Sequence, residues 1–227
     1  MDYIAVSDED IKLLNSVIKD VNKKSTVTKI DVTSLYVEHL VESPNSKTRY
    51  TAYTLLRLLL DEVNGIPDKV LYLDTDVLAF NDISLLYNTD ITNYELAGVK
   101  DRYGRFFMGP RYLNAGVLLL NMKKIKETGL FTKCRAYLNK KEVFLSDQTA
   151  INKYVKKKLI LKRRFNEQKK VKDDTVIRHF SMQFRLFPKF HFVNIKPWHK
   201  ERLHKEYKCH HFDDILDKYE KVTKEKL

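Results

Sequence analysis

The chain has 227 residues, 43% of them apolar and 11% aromatic, which is enough for one substantial core and unlike the aromatic-poor composition of disordered segments. Its six glycines cannot spell a P-loop or a G-x-G-x-x-G turn, so neither of those phosphate cradles is encoded. The formal charge of +12 is lopsided: residues 1–90 carry 9 basic and 15 acidic side chains, whereas residues 91–227 carry 33 and 15. Two cysteines, Cys134 and Cys209, make no disulfide framework and point to a reducing, cytoplasmic compartment. Apolar runs stop at four or five residues, so neither a secretion signal nor a membrane span is expected.

Ser7 precedes an apolar stripe at Ile11, Leu14, Ile18 and Val21, with Asp8, Glu9 and Asp10 in the first turn, the pattern of a capped amphipathic helix. Residues 28–32 read as a short strand. Residues 51–60, with Leu55, Leu56, Leu59 and Leu60 crowded together, read as a helix ended by Gly65 and Pro67. The run Val70-Leu71-Tyr72-Leu73 lies between turn signals and predicts a strand buried on both faces. Strands are expected again at 96–99 and 113–120, and helices at 130–138 and 146–155. This alternation implies an α/β layer structure with a largely parallel sheet. Residues 153–172 hold ten basic side chains and one acid, Glu167. A last strand at 175–180, an aromatic-rich loop at 184–198 and a helical pattern over 212–222 complete the chain.

Asp74 and Asp76 bracket Thr75 directly after the apolar run. In extended backbone, residues i and i+2 point to the same side, so the two carboxylates share space at the strand's carboxyl end. Like charges so placed invite a hard divalent cation that bridges to nucleotide phosphates, at the end of an α/β sheet where ligands bind. The plainer alternative is an Asp-rich turn.

These residues carry a resemblance. Asp68-Lys69-Val70-Leu71-Tyr72-Leu73-Asp74-Thr75-Asp76-Val77 resembles the signature of glycosyltransferase family 8, the retaining nucleotide-sugar transferases related to bacterial lipopolysaccharide galactosyl- and glucosyltransferases. Tyr112-Leu113-Asn114-Ala115-Gly116-Val117-Leu118-Leu119-Leu120-Asn121-Met122 is similar to the family's F-N-A/S-G-V-L-L-I-N-L strand. Ser146-Asp147-Gln148-Thr149-Ala150-Ile151-Asn152 resembles its P-D-Q-D-x-L-N helix start, and Arg163 to Asn166 its R-F-N turn. Ile177-Arg178-His179-Phe180 and Lys196-Pro197-Trp198-His199 resemble the two halves of its H-x-x-G-x-K-P-W ending. All occur in the family's order from Arg57 to Trp198.

The resemblance implies a single GT-A domain over residues 1–200 with a mostly parallel central sheet, and a basic, helical tail over 201–227. It implies transfer of a hexose, glucose or galactose, from a UDP-sugar to a saccharide or lipid-linked acceptor with retention. Carried over by position, Asp74, Asp76 and His179 would hold Mn²⁺, or Mg²⁺, on the donor diphosphate; an imidazole beside two carboxylates favours Mn²⁺. Lys196 would neutralise the departing diphosphate. Arg57, Thr75 and Ala115 fall in the donor-binding set, and Asp101, Asn114, Asp147 and Gln148 would line the sugar pocket. Retention needs either a double displacement, with Gln148 or Asp147 as nucleophile, or a front-side route in which the departing phosphate oxygen takes the acceptor's proton. The amide at Gln148 favours the front-side route. Duller roles exist for each: a structural histidine at 179, a packed corner at Lys196-Pro197-Trp198, a helix cap at Ser146-Asp147.

Two departures from the family stand out. Residues 3–32 fit its second strand, second helix and third strand, so its first strand-helix unit is expected to be missing. A stretch of thirteen residues, 182–194, lies between His179 and Lys196; Ser181 stands near the family's glycine, and His191 becomes a rival ligand to His179. A catalytically impaired relative acting as a binding protein is therefore one alternative. A basic nucleic-acid-binding protein is another, but no such motif accompanies the charge and the acidic front would repel phosphate. The basic half suits an anionic membrane face, and self-association is a further expectation.

Overall fold

The computed structural model describes residues 6–47, 52–185, 189 and 191–224. The first helix, α1 (Asp8–Val21), forms where its pattern predicts. Ser7 Oγ accepts the Asp10 N–H at 3.1 Å, and the Asp10 carboxylate accepts the Ser7 N–H at 3.1 Å, a reciprocal cap. No strand forms at 28–32, because no other strand lies beside it among the described residues; most of the segment is exposed as it runs into α2 (Thr33–His39). The leucine-rich segment is a 3-10 helix, Ala52–Leu59, rather than an α-helix, and Thr51 lies outside the described residues. Three residues per turn stack Leu55 on Leu58 inside the core and Thr54 on Arg57 along the next face.

Then follow β1 (Lys69–Leu73), β2 (Val77–Ala79), α3 (Ser84–Tyr87), β3 (Leu96–Lys100), α4 (Gly104–Phe107), β4 (Leu113–Asn121), α5 (Met122–Thr128), α6 (Leu130–Leu138), α7 (Ser146–Tyr154) and β5 (Lys158–Ile160). Gly129, at φ 63°, makes the left-handed turn that separates α5 from α6. The main sheet has the order β1-β4-β3-β5. It is mixed: β1, β3 and β5 share one direction, β4 runs antiparallel to β1 and β3, and only β3 and β5 pair in parallel. The cause is the link from β3 to β4, which carries the single turn α4 instead of a crossover helix, so the chain returns in the opposite sense. The helices α5 to α7 then supply the long connection that brings β5 beside β3.

Strand β4, not β1, is the one buried on both faces. Leu118 and Leu120 join the larger core under Leu55, Leu58, Phe131 and Leu138, while Val117 and Leu119 face the other layer. β1 is half-buried because β4 is its sole partner in the described sheet. A second ladder pairs β2 with β6 (Ile177–His179), and the predicted aromatic loop holds a hairpin of β7 (Gln183–Arg185) and β8 (His191–Val193). The closing segment, with α8 (Lys200–Arg202), a one-turn π-helix at Leu203–Tyr207 and α9 (Asp213–Lys224), does not hang free: Leu203, Phe212 and Leu216 are buried with Phe180, Val193 and Ile195. Among the described residues no helix is long and apolar enough to cross a membrane.

Candidate active site

β1 ends at Leu73, and the Asp74 N–H donates to Gly116 O at 2.8 Å as a last rung toward β4. Thr75 is exposed at the turn, and Asp76 leads into β2 with its side chain buried. The β2–β6 register pairs Val77 with His179, and the Phe180 N–H donates to Asp76 O at 2.9 Å. That ladder carries His179 across more than a hundred residues of sequence to the two aspartates. His179 Nε2 lies 3.2 Å from Asp76 Oδ1 and 4.0 Å from Asp74 Oδ2, and one donor atom from each of the three residues falls within 4.8 Å of the others. His191 is exposed on β8, outside this cluster, with Nδ1 2.8 Å from Lys189 O.

Cationic side chains hold the carboxylates. Arg57 is nearly inaccessible; Nη2 donates to Asp74 Oδ1 at 2.9 Å, Nε lies 3.0 Å from Asp147 Oδ2, and Nη1 reaches Ala115 O. Its guanidinium stacks 4.2 Å over the Tyr72 ring, and the Tyr72 hydroxyl donates to Asp74 Oδ1 at 2.9 Å. Lys196 Nζ donates to Asp76 Oδ2. Burial alone would raise the Asp76 carboxyl, but contact with the His179 ring, when that ring is charged, and with Lys196 outweighs it and holds that carboxyl well below the usual range. Burial raises Asp147 to about 6, against the opposing pull of Arg57.

A chain of amides links the imidazole to the predicted sugar-pocket residues. His179 Nδ1 is 3.2 Å from Asn166 Oδ1, Asn166 Nδ2 donates to Asn114 Oδ1 at 2.9 Å, and Asn114 Nδ2 donates to Asp101 Oδ2 at 3.0 Å. Gln148 Nε2 donates to the same Asp101 oxygen at 3.3 Å, while its Oε1 accepts the Ala115 N–H at 2.9 Å. Asp101 Oδ1 accepts the N–H groups of Tyr103 and Gly104 at 3.0 and 2.6 Å. A carboxylate only accepts, so Asp101 fixes the sense of every amide in the chain, and Asn166 then presents an oxygen to His179. With its proton on Nδ1, the ring turns the Nε2 lone pair toward Asp74 and Asp76. Leu145, at φ 54°, occupies the helix-start position of α7, so Ser146 is no side-chain cap, and Asp147 and Gln148 face inward rather than closing the helix end.

Two observations test whether a cation fits. Asp76 Oδ1 is buried and accepts no hydrogen bond among the described residues, an unmet need beside a nitrogen lone pair. At Gly116 a Cβ would stand 2.2 Å from His179 Cε1 and 2.8 Å from Asp74 Oδ2, so glycine leaves the floor that the cluster needs. Two carboxylates and one imidazole suit Mn²⁺ or Mg²⁺. Gly116, Tyr72 and Asn166 escaped the sequence reading as site residues; the asparagine of the R-F-N turn was visible, but its meaning depends on neighbours far along the chain.

The sequence profile of Glycosyl transferase family 8 matches residues 3–202. The chain belongs to glycosyltransferase family 8. A Haemophilus influenzae protein bearing a glycosyltransferase name is 33% identical over 126 residues, covering 50% of this chain and 38% of that one. Glycosyltransferase GlyA of Streptococcus pneumoniae is 32% identical over 145 residues, 61% of this chain and 20% of its own length. The family 8 chain thus spans well under half the length of these curated relatives. Among solved structures, galactosyltransferase LgtC in complex with donor and acceptor sugar analogs superposes with a TM-score of 0.64 at 23% identity, over 86% of this chain and 76% of that one. The bifunctional glycosyltransferase WbbM gives 0.62 at 18%, over 85% and 39%. The family 8 chain has the GT-A fold.

Proposed function

We propose that this glycosyltransferase moves glucose or galactose from a UDP-sugar to a saccharide or lipid-linked acceptor, with retention and with dependence on Mn²⁺. The supporting observation is the convergence of Asp74, Asp76 and His179 over Gly116, with a buried carboxylate oxygen that lacks a donor among the described residues. Bound there, the ion would supply a Lewis acid for the donor diphosphate. Lys196, resting on Asp76, brings a cation to the leaving-group end, where negative charge grows as the glycosidic bond breaks. Arg57 ties Asp74 to Asp147 and so couples the diphosphate end to the sugar end.

Both ends of the Gln148 amide are committed, one to the Ala115 N–H and one to Asp101, which suits a pocket wall better than a nucleophile. Asp147 is likewise engaged with Arg57. The front-side route needs neither as nucleophile: the acceptor oxygen bonds to the anomeric carbon on the face that the phosphate leaves, and the phosphate oxygen takes the acceptor's proton. Asp101 and Asn114 orient the sugar hydroxyls. Beyond them, a cavity of about 170 Å³ runs from Asp101 past Tyr103, Phe107, Met108 and Phe184, an aromatic surface suited to the apolar face of an acceptor sugar.

The basic stretch at 153–172 extends the proposal: it docks the protein on an anionic cytoplasmic leaflet, where each near-surface Lys or Arg contributes on the order of 1 kcal/mol. Vesicle binding indifferent to salt and lipid charge contradicts that extension. For the chemistry, UDP-glucose and UDP-galactose are incubated with the protein and Mn²⁺, and proton NMR follows donor loss and the anomer released. Donor hydrolysis or transfer giving the donor's own anomer is the expected result. Release of the opposite anomer contradicts retention, and donor binding without turnover supports an impaired relative that binds carbohydrate.

A further inference from the structure

Beyond Lys196 the chain carries a second cluster of metal-type donors, remote in sequence from the first. His204 lies in the one-turn π-helix Leu203–Tyr207, His210 in the turn that follows it, and Asp213 opens α9. His204 Nε2 is 2.6 Å from Asp213 Oδ1, and His210 Nδ1 is 3.3 Å from Asp213 Oδ2. The two imidazoles stack with centroids 4.1 Å apart and planes 29° from parallel. Donor atoms of all three residues lie within 4.8 Å of one another; among the described residues only this trio and Asp74, Asp76 and His179 meet that condition.

The backbone here is bent into unusual forms. A π-turn is rare and is frequently found at functional sites. Lys208, at φ 48°, adopts the left-handed region that costs a side-chain-bearing residue free energy. Its reversal, with the Lys208 N–H donating to His204 O at 3.1 Å, folds His210 back over His204. Among the described residues, the other non-glycine with positive φ is Leu145, two residues before Asp147 in the candidate active site. Both flanks are rigid: Leu203 and Phe212, the neighbours of His204 and Asp213, are buried against Phe180. His211 turns away to meet Phe80 edge-on at 5.6 Å, and neither it nor Cys209 belongs to the group of mutually close donor atoms.

We propose that His204, His210 and Asp213 form a transition-metal site of the zinc class, with a fourth position open to solvent on the side of the exposed His210. Two imidazoles and one carboxylate are a three-ligand zinc set, and nitrogen-rich donors select Zn²⁺ where the oxygen-rich Asp74, Asp76 and His179 set suits Mn²⁺. The ion joins the π-turn to the start of α9. It thereby holds Phe212 and Leu216 on Phe180, the residue next to His179. This assignment is independent of the transferase reading.

The test is a titration of the full chain with Zn²⁺ by calorimetry and with Co²⁺ by visible absorption. It is made in an Asp74→Asn, Asp76→Asn double variant, where the first cluster is silent, and again with His210→Ala or Asp213→Asn added. One saturable equivalent, the intense visible bands of four-coordinate Co²⁺ and a higher thermal midpoint with Zn²⁺ are expected in the double variant. Partners that merely orient a metal-bound histidine are worth about 10- to 100-fold in affinity, so losing a ligand costs at least tenfold. His210 is largely exposed, so its replacement leaves the fold intact, checked by circular dichroism. In the wild-type background the same substitution removes one of two Zn²⁺ equivalents. No saturable equivalent in the double variant, or unchanged Zn²⁺ affinity on His210→Ala, overturns the proposal.

Discussion

The two halves of β4 are equally buried and are held by different physics. From Val117 to Asn121 the strand pairs in register with β1, with β3 alongside on the other edge, and its side chains fill apolar layers. From Leu113 to Gly116 the regular ladder fails: β1 pairs no further than Val117, and the β3 register shifts between Gly98 and Lys100. Side chains satisfy the backbone there instead. Asn152 accepts the Leu113 N–H and donates to Leu113 O, Gln148 accepts the Ala115 N–H, and Arg57 donates to Ala115 O. Gln148 and Asn152 stand four residues apart and so share one face of α7. A strand can therefore stay buried after leaving its sheet, provided every polar group finds a directional partner, and the loosened half is where the candidate site is built.

Gly116→Ala should break the polar half most completely. Its methyl would stand against the His179 ring, so metal-dependent UDP binding is expected to vanish in calorimetry while the chain stays folded. The mirror experiment is Leu119→Ala, in a side chain wholly buried among Leu71, Ile91 and Leu159. A loss of about 2–5 kcal/mol in chemical denaturation is expected there, with UDP affinity nearly unchanged. Equal damage to both properties in either variant would erase the distinction between the halves. Asn166→Ala sharpens it: apo His179 is expected to lose its fixed Nδ1–H tautomer, read by nitrogen NMR, and Mn²⁺ affinity to fall about 10- to 100-fold.

The smallest effect concerns pH. Burial raises Asp147 to about 6 in the folded chain, above the ordinary 3.8 of an aspartate, so the native state holds its proton more tightly than the unfolded chain does. Its contribution is favourable below the unfolded pKa and is lost as pH rises through about 4 to 6. Asp147→Asn is expected to flatten that part of the apo protein's stability profile, measured with a chelator present. An unchanged slope would remove Asp147 from the account of the polar half.

Sequence reading reached the apolar half of β4 easily, because a run of Val117-Leu118-Leu119-Leu120 between polar residues has few other homes. It reached Asp74 and Asp76 because they are neighbours along the chain. His179 needed the order of the family's motifs, since the β2–β6 ladder that delivers it is a long-range pairing. Asn166 and Gly116 were not legible as parts of the site: one matters for the oxygen it shows to His179, the other for the atom it lacks. The expected strand at 28–32 failed for the converse reason, as among the described residues no strand lies beside it for β-type residues to pair with. Crowded leucines at 52–59 specified a buried helix but not its winding.

The central claim is that Asp74, Asp76 and His179 hold a divalent ion on which nucleotide binding depends. Calorimetric titration of UDP into the chain, with Mn²⁺ and with a chelator, and again for Asp76→Asn, tests it most directly. Binding with Mn²⁺ that is absent with chelator and absent in Asp76→Asn is the predicted result. UDP binding of equal strength in all three would contradict it.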